Sequence, residues 1–413
     1  MPANRTRRWK LIHHSQVTRR TVLAAVAVAV MAGLAPAVPA SAAAPSNLYP
    51  IRPGTPAWAA LTSHEDMVRV TQLPEGVAEG LSTDGLLSAA LDYPLLSDAL
   101  AFNNVQQGLE IVIARSNGLT ELIGRPDAGT ALLGRYEAMQ IQPETSATEL
   151  QAGEHTVAVW KVESLLAQPQ VLSTMSGEQL EVALRIGRDK HSAKLTEAAI
   201  YGRVGLEPTA VLLGRALAVR EGWDWRQVPL LRDAIANSSA DVDDIAFAVD
   251  RHFAEPDIAH PISGGVGTKD RNTIVRTPMG TAVGVIEMSY ELTAAQIAYM
   301  NEVVRSNYPD ATLEANASRK YNCHSYAWYK QGLPNNIWMN TPGDDTYWHD
   351  GSYVWVTGSN AGYRWSWPAS IDHSAIGTGS GFVRSKWGAF GRVFHWYHYS
   401  PYGDATINKY RLN

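Results

Sequence analysis

One break in pattern, between Glu255 and Asp270, does most to limit what this 413-residue chain can fold into. Upstream, residues 57–255 carry apolar side chains at helical spacing almost throughout, as in Leu86, Leu87, Ala90 and Leu91 behind Ser82-Thr83-Asp84. Capping residues recur at short intervals, among them Thr62-Ser63-His64-Glu65 and Ser176-Gly177-Glu178-Gln179. The break itself holds Pro256, Pro261, Gly264, Gly265 and Gly267, so 256–272 reads as a linker. Downstream, 273–277 and 281–288 flank Pro278-Met279-Gly280 as a hairpin, and 293–307 is an amphipathic helix. Strand-like runs follow at 353–357, 363–367, 371–376, 382–387 and 393–399. Helices first and strands afterwards predict an α+β protein, with an all-helical domain over 57–255 and a small α+β domain over 273–413.

The N-terminus reads as an address. Six Arg and Lys residues precede an apolar run from Val22 to Leu34, no acid occurs before Pro45, and Ala-x-Ala sites follow. Residues 1–44 are therefore expected to be an export signal, with Thr18-Arg19-Arg20 resembling a twin-arginine motif. Pro-rich 45–56 is expected to be an extended, mobile leader. Without the signal the chain carries −11, and 45–272 alone carries −12. Such a body is a poor partner for nucleic acid, and after signal cleavage none is expected with a membrane.

The single cysteine excludes an intramolecular disulfide and any Cys-cluster zinc site. It lies in Tyr321-Asn322-Cys323-His324-Ser325-Tyr326-Ala327-Trp328-Tyr329. Asn322 is a preferred N-cap, which puts Cys323 in the first turn of a helix running to about Gln331. Exposed N–H groups and the positive end of the macrodipole favour thiolate there, as a nucleophile requires. A small buried hydrophobe is the plainer alternative. Further on, Gly377-Thr378-Gly379-Ser380-Gly381 between two β-rich runs signals a hairpin. A turn centred on Gly379 places His373 opposite Ser385, a cross-strand partner able to fix one imidazole tautomer.

These parts together resemble the NlpC/P60 and related papain-like cysteine hydrolases. The order matches: Cys opening a helix, His373 fifty residues later on a strand, and a polar residue on the next. Ser385-Lys386-Trp387-Gly388 is similar to the Asn-Ser-Trp-Gly of papain-type enzymes, with Ser in place of Asn. Six residues before Cys323, where such enzymes carry an oxyanion-binding Gln, stands Ala317, with Asn316 and Asn322 nearest. The resemblance covers about 310–400. It implies a papain-like domain with Cys323 as nucleophile, His373 as base, Ser385 as its orienter and Trp387 covering that contact. Residues Tyr347, Trp348, His349, Asp350 and Tyr353 are expected to rim the cleft and touch substrate. No cofactor or metal is implied. With the export signal, the resemblance implies a secreted hydrolase acting on a peptide or amide bond of the cell envelope, such as a peptidoglycan stem peptide. A non-catalytic envelope-binding module, or an acyltransferase using the same cysteine, are the alternatives.

Overall fold

The computed structural model describes residues 48–142, 147–236, 239–255, 258–262, 272–403 and 405–413. The expected export signal lies outside these, as does most of the expected linker. The protein is α+β, with helices to Ala254 and antiparallel sheets after Asn272. The helical half is built around Glu207–Glu221, whose residues are buried on every side. A helix apolar all round has to be wrapped by others. Gly177–Thr196, Glu149–Leu166 and Ser239–Ala254 do so. Side-chain caps start many of these helices, with a capping box at Thr148 and another at Ser176.

Helix Ala294–Asn307, capped by Thr293 as the sequence suggests, runs along Glu149–Leu166. The two backbones approach closely at Gly153, where a Cβ would lie 2.2 Å from the Ala295 carbonyl oxygen. The hairpin β1 (Asn272–Arg276) and β2 (Ala282–Glu287) forms a three-stranded sheet with β4 (Ile337–Trp338). The larger sheet adds β3 (Thr312–Ala315), β5 (Tyr353–Trp355), β6 (Arg364–Ser366), β7 (Ser374–Gly379), β8 (Phe382–Lys386), β9 (Arg392–Trp396) and β10 (Asn408–Leu412). Its order is β3-β9-β8-β7-β6-β10-β5.

Two expectations change. Tyr49 of the supposedly mobile leader is 1% exposed and its hydroxyl donates to the Ala89 carbonyl at 3.1 Å. An aromatic ring buried in this way pins the leader from Leu48 onward. The helical and sheet regions also share one apolar core: Leu86, Leu100 and Leu217 belong to the same packed cluster as Val383, Trp387, Phe390 and Tyr402. Among the described residues no helix is long and apolar enough to cross a membrane.

Candidate active site

The cysteine turn is shorter and wider than expected. Cys323 and His324 are α-helical, and Ser325–Tyr329 continues as a π-helix, closed by Lys330 N–H donating to the Ser325 carbonyl at 2.8 Å. π-Turns inside helices are frequent at functional sites. Asn322 caps the turn as the sequence suggests, its Oδ1 accepting from Ser325 N–H at 3.1 Å. The same amide bonds both backbone groups of Met339, at 2.7 and 3.2 Å, and so ties the turn to the end of β4.

Cys323 is a free thiol, 1% exposed. Its partner comes from the helical body, 220 residues away in sequence. Asn103 Nδ2 donates to Cys323 Sγ at 3.2 Å and to the Asp372 carbonyl at 2.9 Å. Asp372 is held at φ +57°, a conformation that costs a non-glycine residue free energy and clusters at functional sites. Its carboxylate accepts from His324 Nε2 at 3.2 Å, while His324 Nδ1 lies 3.1 Å from Asp344 Oδ2 and 2.8 Å from Ser374 Oγ. Thr341 Oγ1 bonds both carboxylates. Burial alone would drive His324 toward neutrality, but Asp344, the Cys323 thiol and Asp372 raise it well above the ordinary imidazole value. His324 is therefore an imidazolium, which makes it a fixed charge beside the thiol and disqualifies it as a base.

His373, next in sequence to Asp372, is fully buried, and neither ring nitrogen has a hydrogen-bond partner among the described residues. Burial, then the charges of His395 and His324, hold it well below the ordinary imidazole value. It is thus a neutral ring with a free lone pair. Aromatic packing fixes its plane: it stacks on Tyr402 at 3.5 Å between centroids and meets the edge of Trp367 at 4.9 Å.

Ser385 does not orient His373. Its hydroxyl bonds His395 Nε2 at 2.8 Å and accepts from Trp387 Nε1 at 2.9 Å. The cause lies in the hairpin turn. Ser380 and Gly381 both have positive φ, +54° and +86°, so the two-residue turn sits on them and Gly379 becomes a bulge. Ile376 consequently faces Arg384, two positions from the register expected for a turn centred on Gly379. A two-residue slip keeps His373 and Ser385 on one face but removes them from opposition. His395 Nδ1 lies 2.9 Å from the Trp396 carbonyl, which requires Nδ1–H and leaves Nε2 to accept from Ser385. Trp387, fully buried, meets the edge of His395 at 5.0 Å instead of covering a His373 contact.

Family models, curated proteins and solved structures offer no match to this chain. The geometry alone therefore bears on the remaining candidates. Asn316 is exposed and its side chain bonds Asn301, while the Asn322 amide is committed to Met339 and Ser325, so neither is turned to the sulfur. Tyr347 and Tyr353 are core residues packed on Trp328, and Trp348 stacks on Tyr410 at 4.8 Å. Asp350 accepts from the Thr277 hydroxyl and the Ser352 N–H, and His349 is exposed. Of the five expected rim residues, Tyr347, Trp348 and Tyr353 thus pack around Trp328. Among the described residues no group of His, Cys, Asp and Glu side chains could hold a metal ion.

Sequence reasoning missed Asn103, Asp344, Asp372 and Lys386. Lys386 Nζ is buried between the Ser318 and Gly388 carbonyls, and burial, against Glu291 and the Cys323 thiol, pushes it down to about 7. Asp372 borders His373 and could have been weighed with it. Asn103 carries no local signal at all.

Proposed function

We propose that the protein is an exported cysteine hydrolase of papain-like, NlpC/P60-like character that cleaves an amide bond, with Cys323 as nucleophile and His373 as base. The observation that carries this reading is His373: a buried imidazole with no hydrogen-bond partner among the described residues, adjoining the residue whose carbonyl shares the Asn103 amide with the Cys323 sulfur. Burial with no compensating partner opposes the imidazolium, so His373 can take the thiol proton only as an anionic sulfur forms close by to stabilise the charged ring.

In the reaction, His373, which makes no hydrogen bond to the sulfur in the resting structure, would have to come within reach of Cys323 Sγ and take the thiol proton as Sγ forms a bond to the amide carbon, whose π electrons move to oxygen. The Cys323 backbone N–H, at the start of its turn, is a donor for that oxygen. When the carbonyl re-forms, the C–N bond breaks and the amine leaves with the proton from His373. Water then attacks the thioester, giving its proton to His373 and returning the thiol with release of a carboxylate.

The export signal favours a substrate outside the cytoplasm, a peptide or amide bond of the cell envelope, with the peptidoglycan stem peptide the leading candidate. A pure binding module is the second reading: Trp338, Trp365, Trp367 and Trp387 fill the interior, but Trp355, Phe382 and Trp396 are exposed and the last two are in ring contact across β8 and β9. Purified cell wall incubated with wild type or Cys323→Ala tests the reading. Newly freed amines are expected from wild type alone, and equal release by both removes the hydrolase proposal. Repeating the assay with an added amine acceptor separates hydrolysis from acyl transfer.

A further inference from the structure

A sulfur that is 1% exposed cannot meet a substrate, because attack needs the carbonyl carbon within roughly 3–3.5 Å of it. If Cys323 is the nucleophile, as proposed above, some element must leave. We infer that segment 100–104 of the helical body is an inhibitory strap that closes the thiol site and must be displaced before substrate enters.

Five contacts lay the strap across the C-terminal region. Ala389 N–H donates to the Leu100 carbonyl at 2.9 Å, and the Tyr402 hydroxyl donates to the Ala101 carbonyl at 2.7 Å. The Phe102 ring meets the edge of Tyr402 at 5.4 Å between centroids. Asn103, itself 3% exposed, then reaches the sulfur and the Asp372 carbonyl. Tyr402 is the ring on which His373 stacks, so the strap presses on both members of the proposed pair.

Gly388 shows how closely the strap is seated. It adopts φ +46°, and a Cβ there would lie 2.5 Å from the Ala101 carbonyl carbon and oxygen and from the Leu100 carbonyl oxygen. The glycine that ends Ser385-Lys386-Trp387-Gly388 is thus the place where the helical body's backbone passes. Displacing the strap takes Leu100 and Phe102 out of the apolar core and disturbs the ends of the two helices that flank it. A 3-10 helix ends at Ala101 and the next helix starts at Val105, capped by Asn104, which leaves Phe102 and Asn103 as a short link. At the tip of that link the Asn103 side-chain amide occupies the position beside the sulfur that a substrate would need. The helical body, to which the sequence assigns no activity, is on this account the restraint on the site.

Iodoacetamide labelling of the intact chain tests this directly, because Cys323 is the only thiol and every adduct reports on one atom. Labelling of folded wild type is expected to be slow compared with urea-unfolded protein. Asn103→Ala, which removes one hydrogen-bonding group of the strap, is expected to label about tenfold faster. Asn103→Ser serves as a second variant, and both are compared with wild type by thermal melting to separate strap release from global loss of stability. Equal or slower labelling in a variant that melts like wild type overturns the strap and makes Asn103 a support of the thiol. Labelling needs no turnover, so a failed strap is distinguishable from a failed hydrolase, which Cys323→Ala on cell wall reports.

Discussion

The residues of the site divide by what holds them. His324 is held by charge, between Asp344 and Asp372, while His373 is held by ring contacts and His395 by hydrogen bonds to Ser385 and Trp396. Their protonation differs accordingly, and stability should depend on pH in two opposed ways. His395 is pushed down to about 4 by burial, the Trp396 carbonyl opposing. The unfolded chain takes that proton near pH 6.5 and the folded one refuses it until about 4, so its effect is a loss of stability as pH falls through this window. For one buried imidazole the full loss is on the order of 3 kcal/mol. His324 acts in the opposite sense, its stabilisation present below the unfolded value and lost as pH rises through its raised one. The urea midpoint is therefore expected to fall between pH 6.5 and 4.5, and His395→Gln should flatten that fall. An unchanged slope in the variant would show that His395 does not resist protonation.

At the scale of elements, much was legible where pattern and capping chemistry agree. The hairpin Asn272–Arg276 with Ala282–Glu287 and the Thr293-capped helix lie where the sequence places them, and the five strands expected after Tyr353 are found with ends shifted by up to three residues. The two-residue strand Ile337–Trp338 is too brief to give a period, and Thr312–Ala315 and Asn408–Leu412 alternate too weakly for burial to mark a face. The hairpin register escaped because three residues, Gly379, Ser380 and Gly381, have positive φ, and the sequence does not say which two make the turn. The cysteine turn was legible as a capped start but not as a π-helix, which Lys330 N–H closes on the Ser325 carbonyl. Asn322 caps this turn with one hydrogen bond and joins it to the end of β4 with two. Asn322→Ala is expected to cost about 1–2 kcal/mol, read as a lowered urea midpoint with unchanged slope. A variant as stable as wild type would contradict the role given to this cap.

At the scale of the whole molecule, the sequence divides cleanly at the composition break whereas the core does not. Leu86 and Leu217 belong to the same cluster as Trp387 and Tyr402, so the helical half forms part of the interior on which the sheet rests. This explains why half of the site was invisible in sequence. Cys323, His373 and Trp387 could be picked out by type and spacing, but Asn103 reaches the sulfur across 220 residues, and only the folded core brings it there. Likewise the pairing of His324 with Asp344 and Asp372 depends on the left-handed turn at Asp372, for which an aspartate gives no strong cue. The central claim is that one sulfur and one imidazole act as a unit, and amine release from cell wall by wild type, Cys323→Ala, His373→Gln and the double variant tests it. Each single change is expected to lower the rate by at least about 10³-fold, with the double variant no slower than either single one. Wild-type release by His373→Gln, or losses in the two single variants that multiply in the double, would contradict the account.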